Sequence, residues 1–231
     1  RPLGILERMS PDKKISLSPS ALNLYRDCAR CFWLEQNGAA KRPEGIRATL
    51  PNGMDAVLKR YFDRFRGSLP PELIGKIEGR LIEDQALLDS WRDRWRGLVY
   101  EDPALKARLK GLLDDCVIYN GSYIPLDYKT KGFTPKDDAH KWNQDQLNIY
   151  CFLLEAKGFR TAGHGYLVFY HPVSAHEGGM IQFEITPRKV ATDTAAALKL
   201  FETAVELIRG PLPASRLGCE YCALQGVRDG V

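Results

Sequence analysis

LLDDCVIYNGSYIPLDYKT, residues 112–130, decides how this chain is read. Asn120-Gly121 stands between two strand-like runs, 112–119 and 122–130. This dipeptide signals a two-residue hairpin turn, in which both central residues take positive φ. Such a turn sets the register: Tyr119 faces Ser122, and counting back along both arms places Asp114 opposite Asp127. Leu113, Val117, Ile124, Leu126 and Tyr128 then share an apolar face interrupted by Asp115, while Asp114, Asp127 and Lys129 share the other. Directly opposed side chains have Cβ atoms about 4.5–5.5 Å apart, and like charges there repel. A divalent cation removes the conflict, because Mg2+ prefers hard oxygen ligands. Lys129 beside it suits a group that orients a water or stabilises charge on a phosphate. The pattern equally suits a solvated hairpin face on which Lys129 neutralises one acid.

Outward from the hairpin, a Pro- and Asp-rich loop (133–138) leads into an expected helix over 140–157, ended by Gly158. Two strands, 165–170 and 180–186, and a long helix running to Arg209, capped by Thr192 or Asp193, complete the C-terminal half. On the N-terminal side, Ser18-Pro19 starts a helix carrying Leu22, Tyr25, Cys28, Phe32 and Trp33. A second helix is expected over 54–65, burying Val57, Leu58, Tyr61, Phe62 and Phe65. Residues 66–105 read as an irregular helical insertion. The order of elements predicts an α/β fold: a small mixed central β-sheet flanked by helices, with a helical N-terminal part and a cysteine-stapled C-terminal tail. A single domain is expected over 18–223, after an N-terminal extension of 1–17.

With 231 residues, 44% of them hydrophobic, the chain can fill a core of its own. Its 33 basic and 29 acidic residues leave a net charge of +4, too mild a bias to diagnose a nucleic-acid partner or to exclude one. No apolar run reaches the roughly 20 residues of a membrane span. The opening RPLGILERMSPDKK lacks the apolar centre of a secretory leader, so a cytoplasmic location is expected.

GLLD followed by LDYKTKG resembles the PD-(D/E)xK nuclease superfamily, with Asp127 in the D/E position. QLNIY, from Gln146 to Tyr150, is similar to the QxxxY motif of its RecB-like branch, which includes the exonucleases of CRISPR spacer acquisition. SPSALNLYRDCARCFWLE looks like that branch's opening helix. The resemblance implies a restriction-endonuclease-like core and a Mg2+- or Mn2+-dependent deoxyribonuclease, an exonuclease or a single-strand-acting enzyme, with DNA as partner, protein partners in a DNA-processing complex and no membrane. It implies Asp114, Asp127 and the Tyr128 carbonyl as metal ligands, and Lys129 as the catalytic lysine. Gln146 and Tyr150 would flank the site and touch DNA or the lysine; without the resemblance, Gln146 reads as an exposed polar residue and Tyr150 as a core aromatic. Where the branch usually has a histidine ligand, NGMDAVLKRYFD offers Asp55. Aspartate ligates Mg2+ well, yet an acid in the first turn of a helix also simply favours its dipole.

Cys28-Ala29-Arg30-Cys31 and Cys219-Glu220-Tyr221-Cys222 are two CxxC pairs near the two ends of the chain. Together they can complete a tetrahedral thiolate site that staples the tail to the first helix. The resemblance implies a [4Fe–4S] cluster here, in which one cysteine commonly comes from the early helix and three from the tail. The split here is two and two, and four thiolates suit structural Zn2+ equally. Cys116 and Cys151 fall within apolar periodicity and read as core residues. Lys129, Lys131, Lys136 and Lys141 with Trp142 form a basic stretch that fits a single-stranded nucleic-acid groove or an ordinary charged loop.

Overall fold

Asn120 and Gly121 take φ of 48° and 73°, so the dipeptide forms the turn its sequence predicts. The computed structural model, which describes residues 13–43 and 49–223, runs β1 (Ile15–Leu17), α1 (Pro19–Asp27), α2 (Ala29–Gln36), α3 (Thr49–Phe62), β2 (Arg80–Leu81), α4 (Gln85–Arg92) and β3 (Leu98–Asp102). It continues through β4 (Ala107–Gly111), β5 (Asp115–Tyr119), β6 (Ser122–Thr130), α5 (Gln144–Ala156), β7 (His164–His176), β8 (Met180–Ala191) and α6 (Thr194–Arg209). The mixed α/β architecture is the one expected. The chain forms two compact units interleaved along the sequence: residues 1–47, 101–110 and 198–231 make the first, and 48–100 with 111–197 the second.

The second unit is built on a five-stranded sheet of order β2-β5-β6-β7-β8. β5 and β6 pair antiparallel, Tyr119 against Ser122 through Asp115 against Leu126; β6 and β7 pair parallel, and β7 and β8 antiparallel. β6 is therefore the central strand. Val117, Ile124, Leu126 and Tyr128 join Leu58 and Phe62 of α3 in one core cluster, with the Phe62 and Tyr128 rings 4.5 Å apart. Burying each large side chain contributes roughly 1.5–3 kcal/mol. On α5, Leu147, Ile149, Leu153 and Leu154 are fully buried, which fixes the roll of the helix.

Several expected boundaries move. β5 begins at Asp115, because residues 107–111 form a strand of their own in another sheet. β7 runs past 170 because its outer half pairs with β8 at the exposed end of the hairpin, and β8 runs past 186 because residues 187–191 pair with the buried start of β7. The segment 66–105 is not helical throughout: Gln85–Arg92 is its α-helix, and β2 joins the sheet against β5. Gly79 makes that pairing possible; it holds φ of 93°, and a Cβ there would stand 2.6 Å from the Ile118 carbonyl oxygen. α3 starts at Thr49, before the expected 54, and Val57 on it is half exposed instead of buried.

In the first unit, Ser18 caps α1 by accepting from the Ala21 amide at 3.3 Å, as its sequence predicts. The early helix is broken at Cys28, whose extended backbone separates α1 from α2. Ile15–Leu17, expected as part of an extension, pairs parallel with β4; residues 1–12 lie outside the described residues. The Trp33 indole donates to the Gly210 carbonyl at 3.0 Å and the Asn37 amide to that of Ile208 at 3.2 Å. These bonds satisfy carbonyls that the end of α6 leaves open, and they bring the chain that follows back beside α2. No described helix is long and apolar enough to cross a membrane.

Candidate metal and phosphodiester site

Asp127 and Lys129 point from the same face of β6, as their spacing requires, and the Lys129 ammonium lies 2.5 Å from Asp127 Oδ2. Asp127 is 1% exposed. The ammonium lacks the alignment of a hydrogen bond, and Oδ2 has no other donor. Oδ1 accepts from Gln146 Nε2 at 3.1 Å. Gln146 stands at the third position of α5 and is wholly engaged: Nε2 also donates to the Tyr150 hydroxyl at 2.8 Å, and Oε1 accepts from Lys129 at 3.0 Å. Gln146 thus bonds directly to the acid and Tyr150 to Gln146; Tyr150 is buried as well, as a core aromatic would be.

The β5–β6 register continues to Asp114 opposite Asp127, one residue beyond the last recorded pair. The two carboxyls interact directly. Burial first, and then the Asp114 charge, push Asp127 up to about 7 against the pull of Lys129. Asp114 in turn has a cation of its own. Lys59 on α3 lies 2.9 Å from Asp114 Oδ1 and 2.8 Å from Asp55 Oδ2. Burial lowers the affinity of Lys59 for its proton, but the two acids outweigh it and raise its pKa. Asp55 is the seventh residue of α3, not part of its first turn, so the dipole explanation for an acid there falls away. Its carboxylate reaches Asp114 only through Lys59. Among the described residues, no three acids or histidines converge as closely as the four cysteines do.

Asp115, which interrupts the apolar face in the sequence, is fully buried and completely paired. Arg66 grips it with two bonds of 2.7 and 2.6 Å, and the Tyr128 hydroxyl donates at 2.6 Å. Arg92 approaches it at 3.3 Å, holds Asp63 at 2.8 Å, and donates from Nε to the Asp114 carbonyl at 2.7 Å. A buried carboxylate costs several kcal/mol unless it is paired and hydrogen-bonded, which this one is. Asp115 adjoins Asp114, and Tyr128 adjoins Asp127, so the network ties together the backbones that carry the acid pair. Periodicity gave no sign of Arg66, Arg92 or Lys59. The spacing of Lys59, one helical turn after Asp55, is the only signal that could have singled it out.

A family model described as the PD-(D/E)XK nuclease superfamily matches residues 16–227. The chain belongs to the PD-(D/E)XK nuclease superfamily. No curated protein gives a match. Superfamily members are hydrolytic nucleases that use divalent metals, and the donor set here fits such an ion: two opposed carboxylates, one with a buried oxygen lacking any aligned donor. Of Tyr128, only the backbone carbonyl is left for the site, because its side chain turns to the opposite face.

The second group is the cysteine quartet. Cys28 precedes α2 and Cys31 is its third residue; Cys219 precedes a short helical turn, 220–223, and Cys222 lies within it. Cys28 and Cys222 sulfurs are 3.6 Å apart, and Cys31 is 3.7 Å from both Cys219 and Cys222. All four sulfurs lie within 4.8 Å of one another and can hold a metal. Burial and the neighbouring thiols push Cys222 up to about 12, while bonds from the Cys31 amide and the other thiols overcome burial and bring Cys28 down to about 6. Cys116 and Cys151 are fully buried, as expected of core residues. Of the basic-aromatic stretch, Trp142 and Phe133 are exposed.

Proposed function

We propose that this nuclease-superfamily chain hydrolyses phosphodiester bonds in DNA, acting on single strands or ends in the manner of the RecB-like branch. Mg2+ or Mn2+ would be held by Asp114 and Asp127, with the Tyr128 carbonyl and Asp55 as further ligands. The observation that carries this reading is the Asp127–Lys129–Gln146 arrangement set against Asp114. When bound, the ion polarises the phosphate and makes an attacking water more acidic. Lys129 orients that water or balances charge gathering on the phosphate. Gln146 holds the Lys129 ammonium and Asp127 in one arrangement, and Tyr150 holds Gln146. Lys59 bridges Asp114 and Asp55 and occupies their oxygens until the ion arrives. Trp142 and Phe133, exposed on the segment between β6 and α5, offer rings on which unpaired bases can stack.

The test uses end-labelled single-stranded DNA, duplex DNA and RNA with Mn2+ or Mg2+. Wild type should degrade DNA, and Lys129→Ala should lose roughly 100- to 1,000-fold of the rate while keeping the wild-type melting temperature. Mononucleotide products from the first turnovers indicate an exonuclease; a ladder of internal fragments indicates an endonuclease. A second reading, a nucleic-acid-binding module without catalysis, is favoured by one observation: the Asp55 carboxylate is engaged by Lys59. It predicts DNA binding with no cleavage under either metal.

A further inference from the structure

The cysteine quartet is too tight for the cluster that its family resemblance implies. Three of its sulfur pairs stand at 3.6, 3.7 and 3.7 Å, and none exceeds 4.8 Å. One tetrahedral ion with metal–sulfur bonds of about 2.3 Å sets an edge between sulfurs of about 3.8 Å. A [4Fe–4S] cubane gives each thiolate an iron of its own and spreads the sulfurs to roughly 6 Å or more. The observed spacing matches the first arrangement and falls short of the second at every edge.

The frame leaves little room to open. Cys28 and Cys31 are 1% and 5% exposed at the junction of α1 and α2, where Leu24 and Tyr221 pack against them. The two pairs are built alike. The Phe32 amide bonds to the Cys28 carbonyl at 3.0 Å, and the Ala223 amide to the Cys219 carbonyl at 3.0 Å, so in each pair the first cysteine leads into a helical turn and the second sits within it. A two-plus-two set of matching loops suits a single central ion. Arg42, which also pairs with Asp27, brings a cation to the quartet: its Nη2 lies 3.6 Å from Cys219 Sγ, and its guanidinium stacks 4.5 Å from the centre of the Tyr221 ring. Four thiolates around one Zn2+ carry a net charge of −2, which a fixed cation offsets.

We infer that Cys28, Cys31, Cys219 and Cys222 bind one tetrahedral Zn2+ in a structural site, in place of an iron–sulfur cluster. The ion closes a loop of 191 residues between Cys31 and Cys222 and holds the tail against α2. The inference is independent of what the acid pair does, and its readout needs no substrate.

Full-length protein is produced with zinc, iron and sulfide all in supply and purified without oxygen. One zinc per chain, no acid-labile sulfide and no absorption near roughly 400 nm are expected. Replacing zinc with Co2+ should give the visible bands of a cobalt–tetrathiolate centre. Cys219→Ser, at the least buried of the four positions, should weaken Co2+ binding at least about tenfold; the wild-type cobalt titration stands even if that variant misfolds. About four irons with matching sulfide per chain would overturn the inference. So would a chain that holds no metal and takes up no Co2+. One iron without sulfide would refute zinc as the resident ion.

Discussion

Asp114 and Asp127 are crowded together by a turn of two residues, whereas the four cysteines are crowded by segments up to 194 residues apart. The two sites also manage that crowding differently. The acids carry built-in cations: Lys59 for Asp114 and Asp55, Lys129 for Asp127. Two ammoniums set among three carboxylates let this part of the molecule fold before any ion binds, and on the proposed reading it then admits one. The thiols need no counter-charge while protonated and gain most once an ion converts them to thiolates. On the proposed reading, one site exchanges its ion and the other keeps it.

The contrast is broken most severely at its supports. Arg66→Met leaves Asp115 buried with half its partners gone and should cost about 3–5 kcal/mol in denaturant unfolding. Gly79→Ala belongs in the same range of severity, because its Cβ meets a backbone oxygen at 2.6 Å; a cooperative unfolding curve matching wild type would refute the role given to that close approach. Stripping metal should separate the two sites. A chelator strong enough to empty the quartet should lower stability by about 3 kcal/mol or more, while removing only the exchangeable cation from the acids should leave the melting temperature almost unchanged. Equal losses would erase the distinction. Lys59→Met should tighten Mn2+ binding roughly tenfold, since one competing charge is gone, and should lower stability in metal-free buffer; calorimetric titration reads both sites of the comparison at once.

A further test concerns pH. In metal-free protein the Asp127 carboxyl is raised from 3.8 to about 7, so the folded state holds its proton more tightly than the unfolded chain does. This contribution to stability is complete below about pH 4 and declines as pH rises towards 7. Denaturant midpoints across that range should show the decline in wild type and lack it in Asp127→Asn.

The hairpin was legible because its information is local. Asn120-Gly121 dictates positive φ at two positions, the turn sets the register, and the pleat assigns Asp127 and Lys129 to one face. Gln146 and Tyr150 could be named only through the QxxxY resemblance; their bonds depend on how α5 rolls against the sheet, and Leu147, Leu153 and Leu154 set that roll. Asp115 misled the reading, because alternation treats any acid on an apolar face as an intruder. Its partners Arg66 and Arg92 lie 49 and 23 residues away, beyond the reach of any periodic pattern. Residues 66–105 misled for a similar reason: β2 has two residues and exists by virtue of its partner β5 and the absent side chain of Gly79.

What the order of residues settled unaided was the chemistry on offer: two acids and a lysine in strand register, and two CxxC pairs able to hold a metal. Folding in three dimensions settled how those groups are balanced. Lys59 reaches Asp114 from α3, Arg66 neutralises Asp115 while the Tyr128 hydroxyl donates to it, and the tail returns to place four sulfurs less than 5 Å apart. The reason lies in range. Turn conformation and pleat act between neighbours along the backbone, whereas the pairing of a buried charge and the spacing of thiols depend on segments that meet only after the core has packed.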